Sequence, residues 1–307
     1  MHKIFIDGSA GTTGLRIRER LAARDDLELI IPDEEHRKDT EARREALNTC
    51  DVAFLCLPDA AAIEAVGMVE NEKVTVIDTS TAHRTAAGWS YGFPELYGKR
   101  EEIKASRRIA NPGCHASGFV ALVEPLVRNG LLSEDTPLTA YSLTGYSGGG
   151  KKMIAEYEDE GRDALLDAPR MYGLGQTHKH LPEMTAVCGL EKHPIFCPVV
   201  APYYSGMEVT VPIFGEALKG SLDDLCALYA DYYRTGLVRF TGNADEGGFL
   251  SANAMTGRDD MQISVHGNGD RILLVARFDN LGKGASGAAI QNMNLILGVD
   301  EATGLVV

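Results

Sequence analysis

The sequence has no apolar run of the roughly 20 residues that a membrane-spanning helix needs, no secretory leader pattern and no lipidation motif. Its six cysteines (Cys50, Cys56, Cys114, Cys188, Cys197, Cys226) form no C-x-x-C pair and no dense framework. A disulfide scaffold is thereby excluded, and reduced thiols in a cytoplasmic setting are expected. Positive charge is scarce: 30 Lys and Arg against 44 Asp and Glu give a formal charge of -14 at pH 7. Such an acidic molecule is a poor partner for nucleic acid or an anionic membrane, although a local basic pocket for a phosphorylated metabolite stays open. No linker, low-complexity tract or internal repeat interrupts the 307 residues, which suffice for one large or two ordinary domains. The 44% apolar and 24% charged content is that of an ordinary globular protein.

The stretch that organises the chain is Asn111-Pro112-Gly113-Cys114-His115-Ala116-Ser117-Gly118. A turn opens into Phe119, Val120, Leu122, Val123 and Leu126, whose spacing suits one buried helix face. Cys114 is therefore expected at a helix N-terminus, where unpaired N–H groups and the helix dipole favour an anion and a thiol ionises more readily. The alternative is a small buried hydrophobe.

At the N-terminal end, Lys3 to Ile6 reads as a strand, Asp7 to Gly14 as a glycine turn, and Leu15, Ile17 and Leu21 as a helix. Glycines at 8, 11 and 14 form a variant of the dinucleotide fingerprint, with Ser9, Thr12 and Thr13 between them. The alternative is a glycine turn that binds nothing. Leu27 to Ile31 reads as a second strand, and beyond it stand Asp33, Glu34, Glu35 and Arg37. An acid there suits the ribose of NAD and an arginine the extra phosphate of NADP, so this stretch leaves both open. Val52 to Leu57 and Val74 to Asp78 read as buried parallel strands, with Asp59 capping a helix between them. This alternation predicts a doubly wound parallel sheet.

Thr79, Ser80, Thr81 and Arg84 gather three hydroxyls and a cation in one loop, an anion cradle or a solvated connection. Thr139 to Thr144 reads as a strand leading through Gly145-Tyr146-Ser147-Gly148-Gly149-Gly150-Lys151-Lys152 into a helix, an anion site or a hinge. In Tyr172 to Met184, an extended His178-Lys179-His180-Leu181 before Pro182 would aim both imidazoles to one side. They could work as acid and base, form half of a metal site, or be structural; no third and fourth ligand stand at recognisable spacing, so no metal is expected. Ile195 to Val200 and Glu208 to Pro212 read as antiparallel strands, Ser221 as a helix cap, and Met261 to Val265 with Ile272 to Ala276 as a hairpin.

Taken in order, these motifs resemble the N-acetyl-gamma-glutamyl-phosphate reductases, short form, nearly end to end. The most specific are Asn111-Pro112-Gly113-Cys114, Gly145 to Lys151, His178 to Glu183, and Asp279-Asn280-Leu281-Gly282-Lys283-Gly284-Ala285-Ser286-Gly287 with Gln291 to Asn294; Tyr91 to Leu96 also fits. The resemblance implies an α/β fold like that of aspartate-semialdehyde and glyceraldehyde-phosphate dehydrogenases. A Rossmann-type dinucleotide domain would comprise 1–113 and 283–307, and an α+β catalytic and oligomer-forming domain with a mixed, partly antiparallel sheet 114–282. It implies NADPH-dependent reduction of an acyl phosphate through a Cys114 thioester. His180 leads as acid-base group, with His178 and Tyr172 beside it. Gly8, Ser9, Gly11, Thr12, Thr13, Gly14, Ser80 and Asn280 would contact the cofactor; Asn111, Ser147, Gly148, Lys151 and Arg84 would contact substrate. A homo-oligomer, dimer or tetramer, is implied. The rival readings are a related enzyme such as an aspartate-semialdehyde dehydrogenase and a dinucleotide-binding sensor without turnover.

Overall fold

The computed structural model describes residues 1–31, 39–242 and 244–307. Asp33, Glu34, Glu35 and Arg37, the stretch that bears on NAD against NADP, lie outside the described residues. The chain divides into two compact units, residues 1–112 with 285–305 and residues 113–284 with 306–307. Among the described residues no helix is long and apolar enough to cross a membrane.

The first unit contains β1 (His2–Asp7), α1 (Thr12–Leu21), β2 (Leu27–Ile30), α2 (Thr40–Thr49), β3 (Val52–Leu55), α3 (Asp59–Gly67), β4 (Thr75–Asp78), β5 (Ser90–Tyr91), α4 (Lys99–Ala105) and β6 (Arg108–Ala110). The strands form a parallel sheet in the order β2-β1-β3-β4-β6-β5. Alternation along the strands sends Ile4, Ile6, Phe54 and Ile77 into one core, with Ile17 and with Ile290 and Met293 of the C-terminal helix Gly287–Leu297. Phe5, Ala53, Leu55 and Val76 enter the other, against Leu47 and Ala62. Both faces are covered, and β3 is accordingly buried at every residue. Because β2 and β3 flank β1, the turn after β1 stands where the strand order reverses, the usual ligand crevice of such sheets.

The second unit contains α5 (Cys114–Arg128), β7 (Thr139–Gly145), α6 (Gly150–Glu158), β8 (Arg170–Met171), α7 (Leu181–Cys188), β9 (Ile195–Ala201), β10 (Met207–Phe214), α8 (Leu222–Tyr232), β11 (Val238–Phe240), β12 (Met261–Gly267) and β13 (Arg271–Phe278). Its sheet runs β11-β12-β13-β10-β7-β9-β8 and is mixed: β7/β9 and β11/β12 pair in parallel, the rest antiparallel. The β12–β13 hairpin and the Ser221 cap are as the sequence predicts, the latter as a reciprocal capping box with Asp224.

Two local expectations are corrected. The strands β9 and β10 do run antiparallel, but as a pair separated by β7 rather than as neighbours. The connection 202–206 wraps the end of β7, with the N–H groups of Gly145, Tyr146 and Ser147 donating to the carbonyls of Gly206, Tyr203 and Tyr204. Asp59 is not the cap of α3 but its first residue; its carboxylate accepts the N–H and hydroxyl of Thr81 instead, and Pro58 occupies the cap position.

Helix α5 packs against α7, α8, β10 and β13 and is buried from His115 to Leu126. Gly118 permits the close approach to the sheet, since a Cβ there would stand 2.5 Å from Val209 Cγ2. Pro125 has no N–H, so the Ala121 carbonyl one turn back loses its helical donor. The Tyr233 hydroxyl of the segment following α8 donates to it at 2.6 Å, and Tyr229 donates to the Leu122 carbonyl. Tyr233→Phe should therefore strand a buried carbonyl and lower stability by ~1–3 kcal/mol, read as a shifted urea midpoint with unchanged slope.

Candidate active site

Cys114 is the first residue of α5, half-buried, with Gly113 as an extended N-cap that contributes no side chain. The Gly113 N–H donates to the Glu183 carboxylate at 2.8 Å, so a residue in the first turn of α7 holds the start of α5. Gly284 closes the other side: a Cβ there would stand 3.0 Å from the Cys114 Cβ.

The next residue, His115, is fully buried and was not anticipated. One ring nitrogen, Nδ1, hydrogen-bonds Ser142 Oγ of β7 and the other, Nε2, hydrogen-bonds the Tyr172 hydroxyl, each at 2.7 Å. Its ring centroid lies 5.8 Å from that of His178, 5.5 Å from His180 and 5.2 Å from Phe196. The imidazoles of His178 and His180 are 4.8 Å apart. The second unit thus brings Tyr172, His178 and His180 together around the side chain that follows Cys114. The available signal was register: His115 shares a helix face with Phe119, Leu122 and Leu126.

The two histidines converge by a different route from the one expected. His178 to Leu181 is a turn, not an extended segment: the Leu181 N–H donates to the His178 carbonyl at 3.0 Å, and the His180 N–H donates to His178 Nδ1 at 3.2 Å. His180 is the helical N-cap residue of α7, with Pro182 in the first turn. The helix start takes Leu181 as its first residue and His180 as its N-cap, overriding the extended bias that a proline places on the residue before it.

Burial sets the electrostatics. It pulls His115 down to about 3, with His178 and Lys179 adding to the effect, so the ring is neutral at physiological pH. It lowers His178 as well, again with Lys179 contributing. Burial pushes the Tyr172 phenol up, and the charge on Cys114 pushes it further.

Asn280, also in the second unit, is buried; its Nδ2 donates to Ser147 Oγ at 3.0 Å and its Oδ1 accepts the Gly206 N–H at 2.9 Å. Gly148, where a Cβ would stand 3.6 Å from Asn280 Nδ2, and Lys151 of α6 are exposed.

In the first unit the glycine turn makes a tight strand-to-helix crossing. Gly8 has φ +84° and a Cβ there would meet the Cys56 carbonyl at 2.3 Å; one on Gly14 would meet the Gly8 carbonyl at 2.5 Å. The Gly11 N–H donates to the Gly8 carbonyl, and α1 starts at Thr12 with no side-chain cap and no acid in its first turn. Ser9, Thr12 and Thr13 are half-buried around it. The helix end is thus shaped for an anion. Arg43, from α2, pairs with Asp7 at the end of β1 at 2.9 Å.

The loop after β4 differs from an open cradle. Thr79 Oγ1 donates to the Leu55 carbonyl, Ser80 Oγ to Asp78 and Thr81 Oγ1 to Asp59. Arg84 donates to the carbonyls of Asn111 and Thr79. The hydroxyl protons are committed to acceptors of the same unit, and His83, stacked on Trp89, bridges to Asp78 at 2.6 Å. Asn111 is buried and donates to the Ala285 carbonyl at 3.0 Å.

A parallel sheet with a glycine-rich helix start, joined in one chain to a mixed sheet that carries a helix-terminal cysteine followed by a histidine cluster, defines the semialdehyde dehydrogenase class. Residues 3–106 match the family model described as semialdehyde dehydrogenase, NAD binding domain, and residues 114–280 that described as semialdehyde dehydrogenase, dimerisation domain. Aspartate semialdehyde dehydrogenase II from Vibrio cholerae shares the fold, with a TM-score of 0.73 over 97% of this chain and 98% of that one at 16% identity. Within the class, the chain belongs to the N-acetyl-gamma-glutamyl-phosphate reductase family. It is 45% identical to N-acetyl-gamma-glutamyl-phosphate reductase 2 of Nostoc sp. over 99% of both chains. It is 47% identical to N-acetyl-gamma-glutamyl-phosphate reductase of Brucella anthropi over 96% of this chain and 98% of that one.

The buried neutral His115 has a consequence for stability. Unfolded, it takes up a proton below its ordinary value of 6.5; folded, only near 3. Its contribution is intact above 6.5 and is lost as pH falls through that window. The unfolding free energy should decline with acidity between those limits, and His115→Phe should flatten the decline in urea titrations at stepped pH.

Proposed function

We propose that this chain reduces N-acetyl-L-glutamyl 5-phosphate to N-acetyl-L-glutamate 5-semialdehyde with release of phosphate, using NADPH and a thioester on Cys114, as a step of arginine biosynthesis in the cytoplasm. The observation that carries the reading is the cysteine at the first position of α5, followed at once by His115, around whose ring Tyr172, His178 and His180 gather. The family membership supports this choice of substrate.

Gly8, Ser9, Gly11, Thr12, Thr13 and Gly14 would hold the dinucleotide pyrophosphate, with Ser80 and Asn280 as further contacts. When bound, the reduced dinucleotide supplies a hydride to the thioester carbonyl carbon. The chain's own residues do the rest. The Cys114 thiolate attacks the acyl carbon, forming the C–S bond as the C–O bond to phosphate breaks. Asn111, Arg84, Ser147, Gly148 and Lys151 would hold the acyl phosphate and its acetylated end. His180 donates a proton to the carbonyl oxygen as the carbon is reduced, giving a thiohemiacetal. His180 then takes that proton back from the hydroxyl, C=O reforms, the C–S bond breaks and the sulfur departs with its electron pair as thiolate. His178 and Tyr172 orient the substrate or share the proton.

We assign the same chain a homo-oligomeric state, dimer or tetramer. Tyr141, Ile195, Phe214 and Leu273 are exposed and, by strand register, lie on one face of the second sheet. An apolar face of this kind suits a second copy.

Two tests follow. Cys114→Ser should abolish turnover with N-acetylglutamate semialdehyde, phosphate and NADP+, leave dinucleotide affinity roughly unchanged, and aspartate semialdehyde should not replace the substrate in the unaltered enzyme. Strong residual activity in the variant removes Cys114 from the mechanism; faster turnover with NAD+ or aspartate semialdehyde corrects the cofactor or the substrate. His180→Asn should lower kcat by about a hundredfold or more, the usual loss for an acid-base group, and His178→Asn by less. The reverse ranking exchanges the two roles.

A further inference from the structure

The mechanism leaves His115, a buried titratable group, unused. It resides in the helix that bears the proposed nucleophile, and both its nitrogens are engaged by hydroxyls, Ser142 Oγ on one side and Tyr172 on the other, each at 2.7 Å. A purely apolar position in α5 would need neither, and Ser142 is itself completely buried on β7. Around the ring stand Phe196, His178 and His180, with Lys179 acting from the same loop.

A neutral imidazole carries one N–H, so the two bonds have opposite senses. The Tyr172 phenol is close enough to Cys114 to be raised by a charge there; if it donated to Nε2, its oxygen lone pairs would be what it offers to that anion. If the Ser142 O–H donates to Nδ1 instead, Nε2–H donates to the Tyr172 oxygen, and the phenolic O–H is left to donate toward that anion. A thiolate selects the second sense.

We propose that His115 is a positioning residue: held by Ser142, it donates to Tyr172 and so turns the Tyr172 hydroxyl into a donor that supports the Cys114 thiolate. This rests on the reading of Cys114 as nucleophile and adds a group that acts only through Tyr172.

The test reads the sulfur directly, without turnover. The pH dependence of iodoacetamide alkylation is followed at the Cys114 peptide by mass spectrometry in the full-length unaltered protein and in H115F, H115Q, Y172F and H115F/Y172F. In H115F and Y172F the alkylation midpoint should rise by about one unit, a roughly tenfold slower reaction at neutral pH. The double variant should rise no further than either single one, since both remove one relay. H115Q, which keeps an N–H near the Nε2 position, should retain most of the low midpoint. An unchanged midpoint in H115F, or additive rises in the double variant, overturns the proposal. Y172F leaves His115 and α5 in place, so an unchanged midpoint there overturns it even if H115F does not fold. Failure of the nucleophile reading looks different: alkylation at Cys114 would leave reductase activity intact, whatever the midpoints.

Discussion

A helix buried along most of its length must find partners for the backbone groups its own ladder cannot satisfy, and α5 depends on this. At its start the Gly113 N–H has no intrahelical acceptor and is held by the Glu183 carboxylate. Near its end Pro125 withdraws a donor, and Tyr233 supplies one to Ala121. These two attachments, with the absence of a side chain at Gly118, fix the helix on the sheet both along and across its axis. The position of Cys114 follows. The residue that anchors the helix start, Glu183, lies three residues beyond His180, so the cysteine and the histidine pair are placed by one contact.

That arrangement limits which charges can act at the sulfur. Burial holds His115 neutral and lowers His178, so neither imidazole supplies a fixed positive charge at neutral pH. Support for an anion falls to the first amides of α5 and to oriented hydroxyls, which cost little reorganisation when the charge forms.

Much of this was legible in the residues because it is local. The strand, glycine turn and helix at the N-terminus, the capping of α8, the β12–β13 hairpin and the start of α5 at Cys114 each follow from short-range sterics and hydrogen bonding. What escaped depends on partners distant in sequence. Nothing in residues 195–212 shows that β7 will lie between β9 and β10, since the bonds responsible join 145–147 to 203–206. Asp59 reads as a cap until Thr81 is brought beside it. The turn at His178 to Leu181 escaped because the helix that Pro182 helps to start includes Leu181 and reaches back to His180, overriding the extended bias a proline places on the residue before it. His115 keeps the register of an apolar face, and a polar ring in that register is informative only once Ser142 and Tyr172 are seen to meet it.

The central claim is that an acyl group is held on the sulfur of Cys114 before any hydride arrives. It is tested most directly by mixing the enzyme with N-acetylglutamyl phosphate in the absence of reduced dinucleotide, quenching in acid, and mapping the adduct by peptide mass spectrometry. The account predicts stoichiometric phosphate release accompanied by an N-acetylglutamyl thioester on the Cys114 peptide, discharged when NADPH is added before the quench. Reduction that proceeds with no adduct at Cys114, or with the acyl group on another residue, would contradict it.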